Sequence, residues 1–181
     1  MIFVSAGHYP SKPGASYERF VEHDEAMIWA SLLVHDIGRD AVLVPTGILK
    51  DKVAFINERT LEGDIALEIH FNAALNKEGV NVGRGSETLY YPGSEAGKSL
   101  AELCQKVLAV FFPPDRGAKE GWYRMNPNNG PDFFLAKTKC PAVILEPEFV
   151  HHAELIREKR VDVIDHLALE LQGFMKELSD G

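Results

Sequence analysis

The 181-residue chain is 45% hydrophobic and 25% charged, the balance of a water-soluble globular protein long enough to bury a core as one domain without disulfide staples. Its charge is acidic, 27 Asp and Glu against 19 Lys and Arg, and it has no basic run, which sets aside nucleic acid and anionic membrane surfaces as partners. No apolar stretch approaches the ~20 residues needed to span a bilayer, so no membrane insertion is expected.

Ile2 to Ser5 is a short apolar run ended by Ala6-Gly7, a candidate buried strand. It carries no basic n-region and is too short for a signal h-region, so it reads as a strand running into a functional loop, with no secretion signal and synthesis in the cytoplasm. Residues 8–21 are rich in Gly, Pro, Ser and charge and read as a loop. From Glu22 to about Ile37 the apolar Ala26, Ile28, Trp29, Leu32, Leu33 and Ile37 recur at helical spacing, with Gly38 as the stop. Ala41 to Val44 is a second strand, closed by Pro45, and Lys50 to about Leu61 a helix. Asp64 to Phe71 is a third strand and Glu87 to Tyr91 a fourth. Ser94 to Phe112 is a long amphipathic helix stopped by Pro113-Pro114. Residues 113–130, rich in Pro, Gly and Asn, are expected to be irregular, and Pro131 to Lys137 a short helix. Ala142 to Glu146 is a fifth strand, and 153 to about 178 is helical, in one or two pieces.

Short apolar strands alternating with helices imply an α/β fold. The expectation is a single three-layer domain over residues 1–181, with a mostly parallel (mixed) central sheet of about five or six strands and helices on both faces. The protein is read as a monomer. Cys104 and Cys140 make no CxxC pair and read as small apolar core residues rather than a disulfide or a zinc knuckle.

In such a sheet, functional groups collect at the carboxyl ends of strands. His8 follows the first strand, His70 lies near the end of the third and Glu146 closes the fifth. Glu22 opens the first helix, whose N-terminus should face the same edge. A strand buried on both faces carries His or Glu only where the side chain is paired, satisfied or catalytic. Imidazole and carboxylate suit zinc, and three protein ligands leave the open position that hydrolysis requires. Each residue alone has a blander reading: a loop histidine, a glutamate favoured by the helix dipole, a half-exposed strand end. Spacing leaves both readings open.

At these same residues the chain resembles the zinc-dependent N-acetylmuramoyl-L-alanine amidases of the Amidase_3 type. Gly7-His8 is followed by Pro13-Gly14-Ala15, and Glu22 starts the first helix. Asp64 to Ala73, DIALEIHFNA, is similar to the family's second histidine strand, and GSETLYY (85–91) to its Gly-x-Glu strand. Arg116-Gly117-Ala118-Lys119 follows the long helix, and Pro141 to Phe149, PAVILEPEF, resembles the family's closing motif. The likeness runs from about residue 2 to 150 with the motifs in family order. It implies one Zn2+ per chain held by His8, Glu22 and His70, with Glu146 as the catalytic glutamate. The implied substrate is peptidoglycan or a muropeptide, cut at the amide between N-acetylmuramic acid and L-alanine. Action at the cell wall or periplasm would then follow release by lysis or an unrecognised export route.

The chain departs from the family pattern at several positions. Tyr9-Pro10 replaces Gly-Gly, Ala26 an Asn, Glu68 a Ser, Glu148 a Gly, and His151-His152 a Ser-Asn. Glu18 and Glu25 compete with Glu22 as a ligand, and Glu148 competes with Glu146 as the base. Trp122, Tyr123 and the asparagines of 113–130 either wall a substrate groove or form a surface loop around a half-buried Trp. His151-His152 reads as a second polar shell or a solvated turn, and His23 and His35 as helix-surface residues. Two further functions use the same features: a zinc peptidase cutting within the stem peptide, and a non-catalytic peptidoglycan- or protein-binding module.

Overall fold

Burial on both faces explains why the central strands read as unbroken apolar runs. In the computed structural model, which describes residues 1–123 and 126–180, every residue of β1 (Ile2–Ala6) and β5 (Ile65–Ile69) is buried. The hairpin β2 (Ser16–Tyr17) and β3 (Phe20–Val21) leads into α1 (Glu22–Ile37). Then come β4 (Ala41–Leu43), α2 (Leu49–Asn57), β6 (Ser86–Tyr90), α3 (Glu95–Phe111), β7 (Asp115–Glu120), α4 (Phe133–Lys137), β8 (Ala142–Glu146) and α5 (Ala153–Asp180), with β5 between α2 and β6. The sheet order is β4-β1-β5-β8-β6-β7. All neighbours are parallel except β8 and β6, which pair antiparallel with Glu87 opposite Glu146.

Alternation along the strands divides the core in two. Ile2, Val4, Ala6, Ile65, Leu67, Ile69, Val143 and Leu145 face α1, α3 and α5. Phe3, Ala66, Ala142 and Ile144 face α2 and α4, where Val53, Ile56, Phe134 and Leu135 pack. The result is the expected three-layer α/β domain, with six strands in a mixed sheet. Cys104 and Cys140 are free and buried, and burial pushes their thiols up to about 12 and about 11. No helix among the described residues is long and apolar enough to cross a membrane.

Three expectations need correction. Residues 115–120 of the supposedly irregular stretch form β7, a charged edge strand whose pairing to β6 is decided by the neighbouring backbone rather than by apolar periodicity. Residues 124–125 of that stretch lie outside the described residues. The loop 8–21 contains the β2–β3 hairpin, and α2 ends at Asn57, four residues before Leu61. From 153 the chain forms one helix, α5, held against α1 and α3 by Ile156, Val163, Ile164, Leu167 and Leu171. α5 is anchored further by Glu25, buried in α1, which accepts hydrogen bonds from Arg160 (2.6 Å) and the Trp29 indole N–H (3.1 Å).

Candidate metal centre

The parallel strands β4, β1, β5 and β8 all end at one edge of the sheet, and antiparallel β6, with β7 beside it, begins there. His8 leaves β1 at that edge, His70 follows β5, and Glu22 is the first residue of α1. The three meet: Glu22 Oε2 lies 3.1 Å from His8 Nε2, and Glu22 Oε1 lies 3.0 Å from His70 Nδ1. One candidate ligand atom from each lies within 4.8 Å of the others. Glu22 is only 4% exposed while the His70 and His8 side chains keep 19% and 34%, so the cluster opens to solvent on its histidine side.

Local structure holds the carboxylate in place. The backbone N–H groups of Ala15 (2.8 Å) and Phe71 (3.2 Å) donate to Glu22 Oε2 and Oε1. Burial alone would raise the pKa of Glu22, but the hydrogen bonds from His70 and His8 outweigh it and leave the group at about 2. His70 is pushed well above its ordinary value, because its carboxylate partners Glu22 and Glu68 more than offset burial. A buried carboxylate between two imidazoles is the donor set of a divalent transition-metal site, and Zn2+ fits it.

Two glycines make the close approach possible. A Cβ on Gly7 would fall on the His70 ring, and one on Gly14 would collide with Glu22 Oε2 and the His8 ring. Gly14 also has φ +81°, a conformation that costs an L-residue ~1–3 kcal/mol. Gly14→Ala is therefore expected to weaken metal binding at least ~10-fold by displacing Glu22 and His8, as read by competition with a coloured chelator. Unchanged affinity in a folded variant would count against this account of the site.

Glu146 closes β8 at the same edge, half-buried, with an Oε2 that is buried and accepts no hydrogen bond among the described residues. Burial raises its pKa to about 8; His70 pulls it down, Glu22 and Glu87 push it up, and Arg116 pulls it down again. The rival carboxylates are engaged elsewhere. Glu148 also has an unbonded Oε2, but it is fully buried and anchored, its Oε1 accepting the N–H groups of Gly85 (2.9 Å) and Phe149 (2.8 Å). Glu25 faces Arg160, and Glu18 is exposed at the tip of the β2–β3 hairpin.

Several residues around the site escape a reading of strand ends. Glu87, the second residue of β6, lies opposite Glu146, and its carboxylate binds Arg116 (2.5 Å), Lys119 (2.7 Å) and Asn72 (3.0 Å). An antiparallel strand brings its amino end to the edge where parallel strands finish, so attention to carboxyl ends overlooks it. The polar strand Asp115–Glu120 carries Arg116 and Lys119 in the Arg-Gly-x-Lys motif, the one signal that pointed to them. His23 is buried, contrary to expectation, bonded through Nδ1 to Gly7 O (2.8 Å) and through Nε2 to Thr46 (3.3 Å). His35 is exposed, as expected. His151 and His152 lie by Tyr17 and Gly83, outside the His8–Glu22–His70 cluster. Trp122 is half-buried and bridges to Pro131.

A family model described as N-acetylmuramoyl-L-alanine amidase matches residues 2–159. Comparison with curated protein sequences finds no match. Among solved structures, an N-acetylmuramoyl-L-alanine amidase from Clostridium difficile 630 is similar, with 22% identity, a TM-score of 0.74, and coverage of 99% of this chain and 96% of that one. The CwlD amidase from Clostridioides difficile, solved in complex with the GerS lipoprotein, has 18% identity and a TM-score of 0.77, covering 97% of this chain and 98% of that one. The catalytic domain of CwlV, an N-acetylmuramoyl-L-alanine amidase from Bacillus (Paenibacillus) polymyxa var. colistinus, has 20% identity and a TM-score of 0.74, covering 99% and 97%. At these identities the structural matches establish a shared fold.

Proposed function

The chain belongs to the N-acetylmuramoyl-L-alanine amidase family, and from that premise we propose that it hydrolyses the amide between N-acetylmuramic acid and L-alanine, with one Zn2+ held by His8, Glu22 and His70 and with Glu146 as general base and acid. The observation that carries this reading is the convergence of two imidazoles and a buried carboxylate within 4.8 Å of one another, with Glu146 at the same sheet edge. A bound Zn2+ supplies a Lewis acid for the scissile carbonyl and lowers the pKa of water to ~7.

The residues of the chain do the rest. An amide nitrogen leaves poorly unless it is protonated, so hydrolysis needs a group that takes a proton from water and returns it. Glu146, unbonded at Oε2 and raised in pKa, is suited to both halves of that transfer. The water oxygen bonds to the acyl carbon, the C–N bond breaks, and the proton held by Glu146 goes to the departing L-alanine nitrogen. The Glu87–Arg116–Lys119 cluster keeps charge beside Glu146 without occupying its free oxygen.

Mass analysis of digested muropeptides tests the reaction. The expected products are intact stem peptides with a free L-alanine amino terminus and glycan ending in the muramyl acid. Fragments cut within the stem would identify a peptidase instead, and undigested muropeptides from zinc-loaded protein would identify a binding module.

A further inference from the structure

Behind the two histidines lies a buried ion pair that the reaction above does not use. Lys52, in α2, and Glu68, in β5, are 2% and 3% exposed, with Nζ 3.3 Å from Oε1. Past Val4 the neighbouring strand β4 ends, so the last carbonyls of the β1 segment have no strand partner on that side. Lys52 Nζ fills that gap, donating to the carbonyl oxygens of Ala6 and His8, the latter at 2.7 Å. His8 needs such a clamp because its φ of 58° is a left-handed conformation uncommon for a non-glycine residue.

Glu68 does the matching work on the other histidine. Its Oε1 accepts from Lys52 and Ser5 Oγ, and its Oε2 lies 3.2 Å from His70 Nε2. The opposite ring nitrogen, Nδ1, faces Glu22. A carboxylate acceptor at Nε2 favours the tautomer with its proton there and leaves the Nδ1 lone pair directed at the Glu22 side.

We infer that Lys52 and Glu68 form a single positioning unit for the metal cluster: Lys52 fixes the backbone of His8, Glu68 fixes the ring orientation and tautomer of His70, and the ion pair ties the two together. The inference rests on the reading of His8 and His70 as zinc ligands.

Two measurements test it. The first compares Zn2+ affinity of wild type and of the double variant K52M/E68Q, which removes both buried charges together and so leaves neither unpaired. Competition with a coloured chelator is expected to give stoichiometric binding in both and a dissociation constant ~10–100-fold weaker in the variant. Wild-type affinity in the folded double variant overturns the inference. The second needs no variant at all: long-range 1H–15N spectra of the zinc-loaded wild type, with the His70 ring assigned through its correlations to its own backbone. The expected signature is a proton on Nε2 and metal on Nδ1; the reverse overturns the inference, even if K52M/E68Q does not fold. A wild type that binds no Zn2+ sinks the ligand reading itself, which separates the two failures.

Discussion

Glu146→Gln is expected to lower the rate of muropeptide hydrolysis by ~10²–10⁴-fold while leaving zinc content and thermal stability close to wild type. The amide keeps the volume and planar shape of the side chain at the end of β8 but cannot take up the proton. Nothing in the His8–Glu22–His70 cluster hydrogen-bonds to Glu146, so the metal site should survive the change. The acid limb of kcat/KM follows from the same residue. A base acts only when ionised, so activity must rise as pH rises through its pKa. Without metal, burial and the nearby Glu22 and Glu87 carboxylates hold Glu146 at about 8, against its ordinary 4.5. A bound divalent cation favours the charged form and draws the value down. The limb is therefore expected between these two values in the zinc enzyme, and it should vanish with the activity in Glu146→Gln. A variant that retains wild-type turnover would remove Glu146 from the mechanism and return attention to Glu148.

His70→Ala is expected to abolish stoichiometric zinc binding and with it at least ~10³-fold of activity, since a Lewis acid supplies several kcal/mol of transition-state stabilisation. The ring sits between the Glu22 and Glu68 carboxylates, 3.0 and 3.2 Å away, so its removal also leaves two acids facing each other across a cavity. Breaking a buried charge pair in this way costs ~3–5 kcal/mol, and the metal-free variant should melt below metal-free wild type. Chelation of wild type should reproduce the loss of activity without the loss of the side chain. Added Zn2+ should then restore wild type and leave His70→Ala inactive. Zinc retained at one per chain in His70→Ala would defeat its assignment as a ligand.

How much of this was legible in the sequence depended on how local each feature is. Strands buried on both faces announce themselves as apolar runs, so IFVS and AVILE were readable as β1, one residue short of its end at Ala6, and β8 without any knowledge of their neighbours. α1 and α3 carry their stops in sequence, Gly38 and the Pro113-Pro114 pair. β7 does not announce itself: DRGAKE has no apolar alternation, and it is a strand only because β6 offers it a free edge. The hairpin before α1 was missed for the same reason, since two residues on each side carry no periodic signal.

By itself the sequence determined the α/β layering, the presence of two histidines and two glutamates after or at element ends, and, through ordered motifs, the family. Those features depend on short stretches of chain, where side-chain period and terminus chemistry act over a few residues. Only the tertiary structure decided which carboxylate meets which histidine. Glu22, Glu25 and Glu18 are near neighbours in sequence, yet helix rotation sends Glu22 to the histidines and Glu25 to Arg160, while a turn leaves Glu18 in solvent. Glu146 and Glu148 each keep one buried, unbonded Oε2 and are separated by what surrounds the other oxygen, since Glu148 is anchored at Oε1 by two backbone N–H groups. The antiparallel pairing that brings Glu87 opposite Glu146, and the ion pair of Lys52 with Glu68 behind the histidines, join residues distant in sequence. Their proximity comes from closing the sheet and docking α2 on it, which no local pattern encodes.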